Sequence, residues 1–252
     1  GATVRLALTA SPGPRSLARA LVKTLAIARR LRTPPDPVQR LVRMARKDPF
    51  SGLRLHALRV LVESHPADRR TPNALRRALR SADAQTRLLS ARACGPAGHD
   101  ALLLLARSRT DDESVVQQAI AALGRALPPE DGISILERAL SEKHFGVAAA
   151  AIDSLGLTGG VAAVNALGRQ LTDGEGPLAV AAARALGEIA DPCAIPVLLS
   201  ALSSQASDLR TSAASALARL GNAAAVGALR RAVADHPLDL GLRTAARHAI
   251  AA

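Results

Sequence analysis

Five arginines recur at one offset from a leucine in this 252-residue chain. Arg43, Arg77, Arg138, Arg169 and Arg231 each stand two residues after Leu41, Leu75, Leu136, Leu167 and Leu229. A sixth leucine of the same kind, Leu198, is followed at that offset by Ser200. A guanidinium is planar and always charged, and it grips a carboxylate or a phosphate through two parallel N–H bonds. The chemistry on offer is therefore anion binding. Arg40, Arg76, Arg80 and Arg230 lie close by in sequence and would widen such a surface.

Residue sets that would carry catalysis are missing. There is no G-x-S-x-G elbow, Walker loop, C-x-x-C or H-x-x-x-H. The histidines, His56, His65, His99, His144, His236 and His248, are scattered at no ligand-like spacing and read as surface or helix-end residues. Cys94 reads as a core residue. Cys193 follows Asp191-Pro192 near a helix start, where a thiolate could be stabilised, although a turn or core role is the plainer reading. Two cysteines suggest no disulfide framework and fit a reducing, cytoplasmic compartment. Gly159-Gly160 resembles a phosphate loop only superficially and reads as a turn. No catalytic residue, metal ligand or cofactor is assigned, and the chain reads as a non-enzyme.

The formal net charge is +12, and only Lys23, Lys47 and Lys143 among the 33 basic residues are lysines. A GC-rich genome accounts for that bias as readily as function does. The distribution is more telling. Residues 1–110 hold 22 Arg and Lys against 6 Asp and Glu, while residues 111–252 hold 11 against 15. Such asymmetry points to an acidic partner at the amino-terminal half. Arg15, Arg19, Lys23, Arg29, Arg30 and Arg32 form a basic amphipathic segment that could lie on an anionic membrane, with a solvated end-cap face the plainer reading. No run approaches the roughly 18 consecutive apolar residues of a membrane span. The first ten residues lack a signal-peptide layout.

The arginines need elements to position them. Ala and Leu dominate the apolar residues, there is no Trp or Tyr, and the aromatics are Phe50 and Phe145 alone. That composition favours helices and disfavours strands. Triplets spaced four residues apart, hence near one helix face, repeat along the chain. They are Leu17/Leu21/Leu25, Leu53/Ala57/Leu61, Thr86/Ser90/Cys94, Val115/Ala119/Leu123, Val147/Ala151/Leu155, Leu178/Ala182/Leu186, Leu209/Ala213/Leu217 and Leu242/Ala246/Ile250. Their last members are 36, 33, 29, 32, 31, 31 and 33 residues apart. The middle residue is Ala or Ser in every copy but the first, which lets neighbouring helices approach closely. Gly95, Gly124, Gly156 and Gly187 follow the last residue, fitting either a helix end or close backbone packing. A second helix follows each triplet and carries its own stripe, such as Ile133/Leu136/Leu140 or Val164/Leu167/Leu171. The run 101–108 is apolar throughout, and its register is ambiguous. Asp36-Pro37, Thr71-Pro72 and Asp191-Pro192 read as helix caps followed by proline in the first turn.

The strings AARALGEIADPCAIPVLLSAL and AASALARLGNAAAVGALRRAV resemble HEAT-like repeats of the phycobilisome-lyase type. The resemblance covers about 50–250 well and 14–49 loosely. It implies an all-α, right-handed α-solenoid of about seven helix pairs plus a terminal half repeat, with first helices convex and second helices lining a concave groove. Residues 14–252 then form one array, basic over 14–110 and mildly acidic over 111–252. Residues 1–13 read as an arm or the remnant of an earlier helix. The family includes interaction scaffolds, bilin lyases, a di-iron hydroxylase and alkylated-base DNA glycosylases. The hydroxylase's His-Glu metal ligands have no counterpart here, and no Trp or Tyr is present to match the glycosylases' stacking aromatics. The expectation is a non-catalytic scaffold holding an acidic protein partner along an arginine-lined groove. Sequence-nonspecific binding of a nucleic-acid backbone is the alternative.

Overall fold

The computed structural model describes residues 36–109, 112–173, 176–221 and 223–251. The expected first helix around Leu17, Leu21 and Leu25, the basic segment Arg15–Arg32 and the arm at 1–13 lie outside them. The described residues form helices joined by short turns, with no strand among them. In chain order they are α1 (Pro37–Lys47), α2 (Ser51–Ser64), α3 (Arg70–Ala78), α4 (Ala84–Ala93), α5 (His99–Arg107), α6 (Glu113–Leu123) and α7 (Pro129–Ser141). They continue as α8 (Phe145–Thr158), α9 (Val161–Asp173), α10 (Pro177–Ile189), α11 (Ile195–Ala201), α12 (Ser207–Leu220), α13 (Ala223–Asp235) and α14 (Leu240–Ala251). Each described triplet falls on an even-numbered helix or at its end, and the odd-numbered helices are the second members of the pairs. Packing groups the described residues into two units, 36–71 and 72–251.

In the first unit α1 packs on α2. Asp36 caps α1 as expected, accepting from the Val38 amide at 3.0 Å, with Pro37 following it. Thr71 does not cap. The helix begins one residue earlier, Asp68 takes the Arg70 amide at 2.9 Å, and the buried Thr71 hydroxyl donates back to the His65 carbonyl at 2.8 Å. The Asp68 carboxylate thus opens the helix before Thr71 is reached.

The second unit is an α-solenoid. First helices stack in order through α4, α6, α8, α10, α12 and α14, and second helices through α5, α7, α9, α11 and α13. Each of those second helices also packs on the first helix of the following pair. The middle residues of the triplets form its spine: Ser90, Ala119, Ala151, Ala182 and Ala213 are 0% exposed and Ala246 is 2% exposed. The ambiguous third pair is settled by burial, with Leu102, Leu105 and Ala106 inside and Leu104 outside.

Gly95 and Gly124 have φ of +56° and +50° and end their helices, whereas Gly156 and Gly187 lie inside α8 and α10 against the next first helix. Gly159 and Gly160 have φ of +72° and +90° and make the α8–α9 turn. Asp191 accepts from the Cys193 amide at 2.8 Å and starts the 3-10 turn that leads into α11.

Ser90 is the exception in the small-residue column, because its buried hydroxyl has no hydrogen-bond partner. An unpaired buried hydroxyl costs about 1–3 kcal/mol. Ser90→Ala, which restores the residue found at this place in most copies, is expected to raise unfolding stability by about 1 kcal/mol in urea denaturation. A loss of stability would contradict this reading of the column.

Candidate functional site

The second-helix arginines share an offset but not a fate. Arg40 and Arg43 of α1 are exposed. In the second unit Arg76 and Arg77 on α3, Arg80 just beyond it, and Arg230 and Arg231 on α13 are exposed too. None of the seven has a side-chain hydrogen bond or ion pair among the described residues. The middle of the row differs. Arg138 is half-buried and donates to the Arg107 carbonyl at 2.8 Å and the Ala106 carbonyl at 3.3 Å, closing the carboxyl end of α5. Arg169 is exposed and sits 3.6 Å from Glu137 on α7. Of the five guanidinium groups expected to face outward in one row, Arg138 instead turns to the last carbonyls of α5.

Several arginines outside the row do structural work that its offset did not reveal. Arg54, Arg87 and Arg210 each follow the first triplet residue by one. Each donates to the two backbone carbonyls five and six residues upstream, at 2.7–3.2 Å. That offset was visible in the sequence as a second recurring arginine position. Other arginines reach a carboxylate one repeat away: Arg107 to Asp131 at 2.5 Å, Arg184 to Asp153 at 2.6 Å and Arg219 to Glu188 at 3.9 Å. Arg210 also pairs with Asp239 at 2.6 Å, with both side chains under 10% exposed. Asp131, Asp153, Glu188 and Asp239 of the carboxyl-terminal half are therefore paired with arginine within the stack.

A cavity of ≈ 240 Å³ beside Arg138 is lined in part by Arg109, Glu113, Glu142, His144 and Ser108. His144 lies 3.6 Å from Glu113 through Nε2 and 3.6 Å from Glu142 through Nδ1. The Ser108 hydroxyl donates to the Leu105 carbonyl at 2.6 Å and is not aligned with that histidine as a nucleophile would be. No cluster of three His, Cys, Asp or Glu side chains suited to a metal ion occurs among the described residues. Cys94 is half-buried at the end of α4, and burial pushes its thiol pKa up. Cys193 is exposed, and its hydrogen bond to the Asp191 carboxylate raises its pKa, so the helix start favours the thiol over the thiolate. No described helix is long and apolar enough to cross a membrane.

Helix pairs stacked at a near-constant interval define a helical-repeat protein. Residues 100–182 and 169–251 each match the family model of HEAT repeats, and the chain belongs to the HEAT-repeat family. No curated protein sequence is significantly similar to it. Similar solved structures include human deoxyhypusine hydroxylase, at 18% identity over 85% of this chain and 94% of that one, with a TM-score of 0.37. An engineered protein is similar at 22% identity over 86% and 96%, with a TM-score of 0.38. The CpcE–CpcF complex of phycocyanin lyase from Nostoc sp. is similar at 18% identity over 87% and 96%, with a TM-score of 0.47.

Proposed function

We propose that the chain is a non-catalytic binding scaffold that holds an acidic protein partner against the arginines of its second helices. The observation that carries this reading is the contrast in pairing. Arg54, Arg87, Arg184, Arg210 and Arg219 on first helices and Arg107, Arg138 and Arg169 on second helices are bonded within the protein, whereas Arg76, Arg77, Arg80, Arg230 and Arg231 have no side-chain hydrogen bond or ion pair among the described residues. Stacked repeats offer extended surfaces suited to a partner. The two free cysteines fit a reducing, cytoplasmic setting.

Fluorescence anisotropy with labelled poly-glutamate, at low and near-physiological salt, tests the proposal. Binding is expected, and changing Arg76, Arg77, Arg80, Arg230 and Arg231 together to Ala is expected to weaken it at least about tenfold, or about 1.4 kcal/mol. Absence of binding at low salt, or an unchanged affinity in the variant, would overturn it. A random DNA duplex serves as the parallel probe. Tighter binding to the duplex than to poly-glutamate, with a steep salt dependence, would favour phosphate-backbone binding instead.

A further inference from the structure

The densest of these charges has a geometry of its own. Arg76, Arg77 and Arg80 lie at the end of α3. The helical winding continues past Ala78 through hydrogen bonds from the Leu79 amide to the Leu75 carbonyl at 3.1 Å and from Arg80 to Arg77 at 3.2 Å. At about 100° per residue, Arg80 projects between Arg76 and Arg77, and all three fall within an arc of about 100° and one turn. Leu75 is buried on the opposite side.

The carboxylates nearest in sequence are both committed. Asp68 is held by the Arg70 guanidinium at 2.7 Å, which keeps its carboxyl well below the usual range. Asp83 accepts from the Thr86 amide at 2.8 Å and caps α4. No Asp or Glu lies between them in the chain. The negative end of α3 supplies only about half a charge, and the three cations have no side-chain hydrogen bond or ion pair among the described residues. One carboxylate brings a single charge and two oxygens. A phosphate monoester brings about −1.5 to −2 and three acceptor oxygens, which matches three neighbouring guanidinium groups on one helix face far better.

Building on the acidic-partner reading, we propose that Arg76, Arg77 and Arg80 form a site for the phosphate monoester of a phosphorylated serine or threonine in the partner's acidic segment. The partner's affinity for this protein is then set by phosphorylation, and the remaining arginines hold the flanking carboxylates.

The test uses one labelled acidic peptide in three forms, with Ser, Glu or phosphoserine at a single central position, titrated against the full chain at near-physiological salt. The phosphoserine form is expected to bind at least about tenfold tighter than the other two. R76A/R77A/R80A is expected to weaken all three forms and to remove the phosphoserine advantage, so that the three then bind about equally. Millimolar inorganic phosphate is expected to compete with the phosphoserine form alone, a readout that needs no variant. Equal affinities for the three forms would overturn the phosphate site and leave the acidic-partner reading standing. Binding of none of them would sink both. A phosphoserine advantage that survives in the triple variant would also overturn this assignment.

Discussion

Replacing Asp239 with Ala is expected to cost about 3 kcal/mol of unfolding free energy, among the largest losses any single polar substitution here should produce. Its Oδ2 accepts from Arg210 Nε at 3.0 Å and Nη2 at 2.6 Å, and its Oδ1 accepts from the Leu242 amide at 2.9 Å, capping α14. Removing it uncaps that helix and leaves the Arg210 guanidinium buried without its carboxylate. Arg210 also donates to the Ser204 and Gln205 carbonyls at 2.7 and 2.9 Å, so the same group ties down the turn before α12. Arg210→Met retains most of the packing and removes the charge, so R210M/D239A should lose less than the sum of the single changes. Additivity would mean that the pair is not coupled.

The pair also sets an acid limit. Burial alone would raise the Asp239 pKa, but the Leu242 amide and Arg210 outweigh it and bring the net value below the ordinary carboxyl range. A carboxyl depressed on folding stabilises the protein fully above its unfolded value of about 3.9. That contribution is lost as pH falls through the folded value. Wild-type stability should therefore drop more steeply below about pH 4 than that of Asp239→Ala.

The second large effect concerns a residue with no side chain. A Cβ on Gly187 would lie 2.8 Å from both Cα and Cβ of Ala216 on α12. The same relation holds one repeat earlier, where a Cβ on Gly156 would meet Ala185 at 2.9 Å. Alanine is the better helix former by about 1 kcal/mol, yet the collision involves backbone, so α10 and α12 must separate. Gly187→Ala is expected to destabilise by about 1–3 kcal/mol. Gly227 on α13 is the control, because nothing lies within 4 Å of its would-be Cβ. Gly227→Ala is expected to gain up to about 1 kcal/mol. Opposite signs in parallel urea titrations are the predicted result, and equal signs would contradict the close approach of first helices.

These residues also mark what could be read from the sequence. The period and the small-residue spine were legible, because stacking demands the same face at the same interval in every copy. The two uses of the glycine column were not separable in advance. Gly124 ends a helix and Gly187 packs against one, and the difference lies in what stands opposite, Ala216 for Gly187, about 30 residues away. The arginine row has the same character. Offset from a leucine fixes the side of the helix, but it does not fix whether a neighbouring repeat supplies an acceptor. Arg138 finds the open end of α5 and Arg169 finds Glu137, while Arg77 and Arg231 find no acceptor among the described residues. Thr71 failed as a cap for a local reason, since the helix already starts at Arg70, whose amide Asp68 takes.

Arginine-selective modification with phenylglyoxal, read residue by residue by mass spectrometry with and without bound poly-glutamate, tests the binding surface most directly. Arg76, Arg77, Arg80, Arg230 and Arg231 are predicted to lose reactivity on binding, while the exposed first-helix residues Arg59 and Arg92 keep theirs. Protection of Arg59 and Arg92 with the second-helix arginines still reactive would contradict the account.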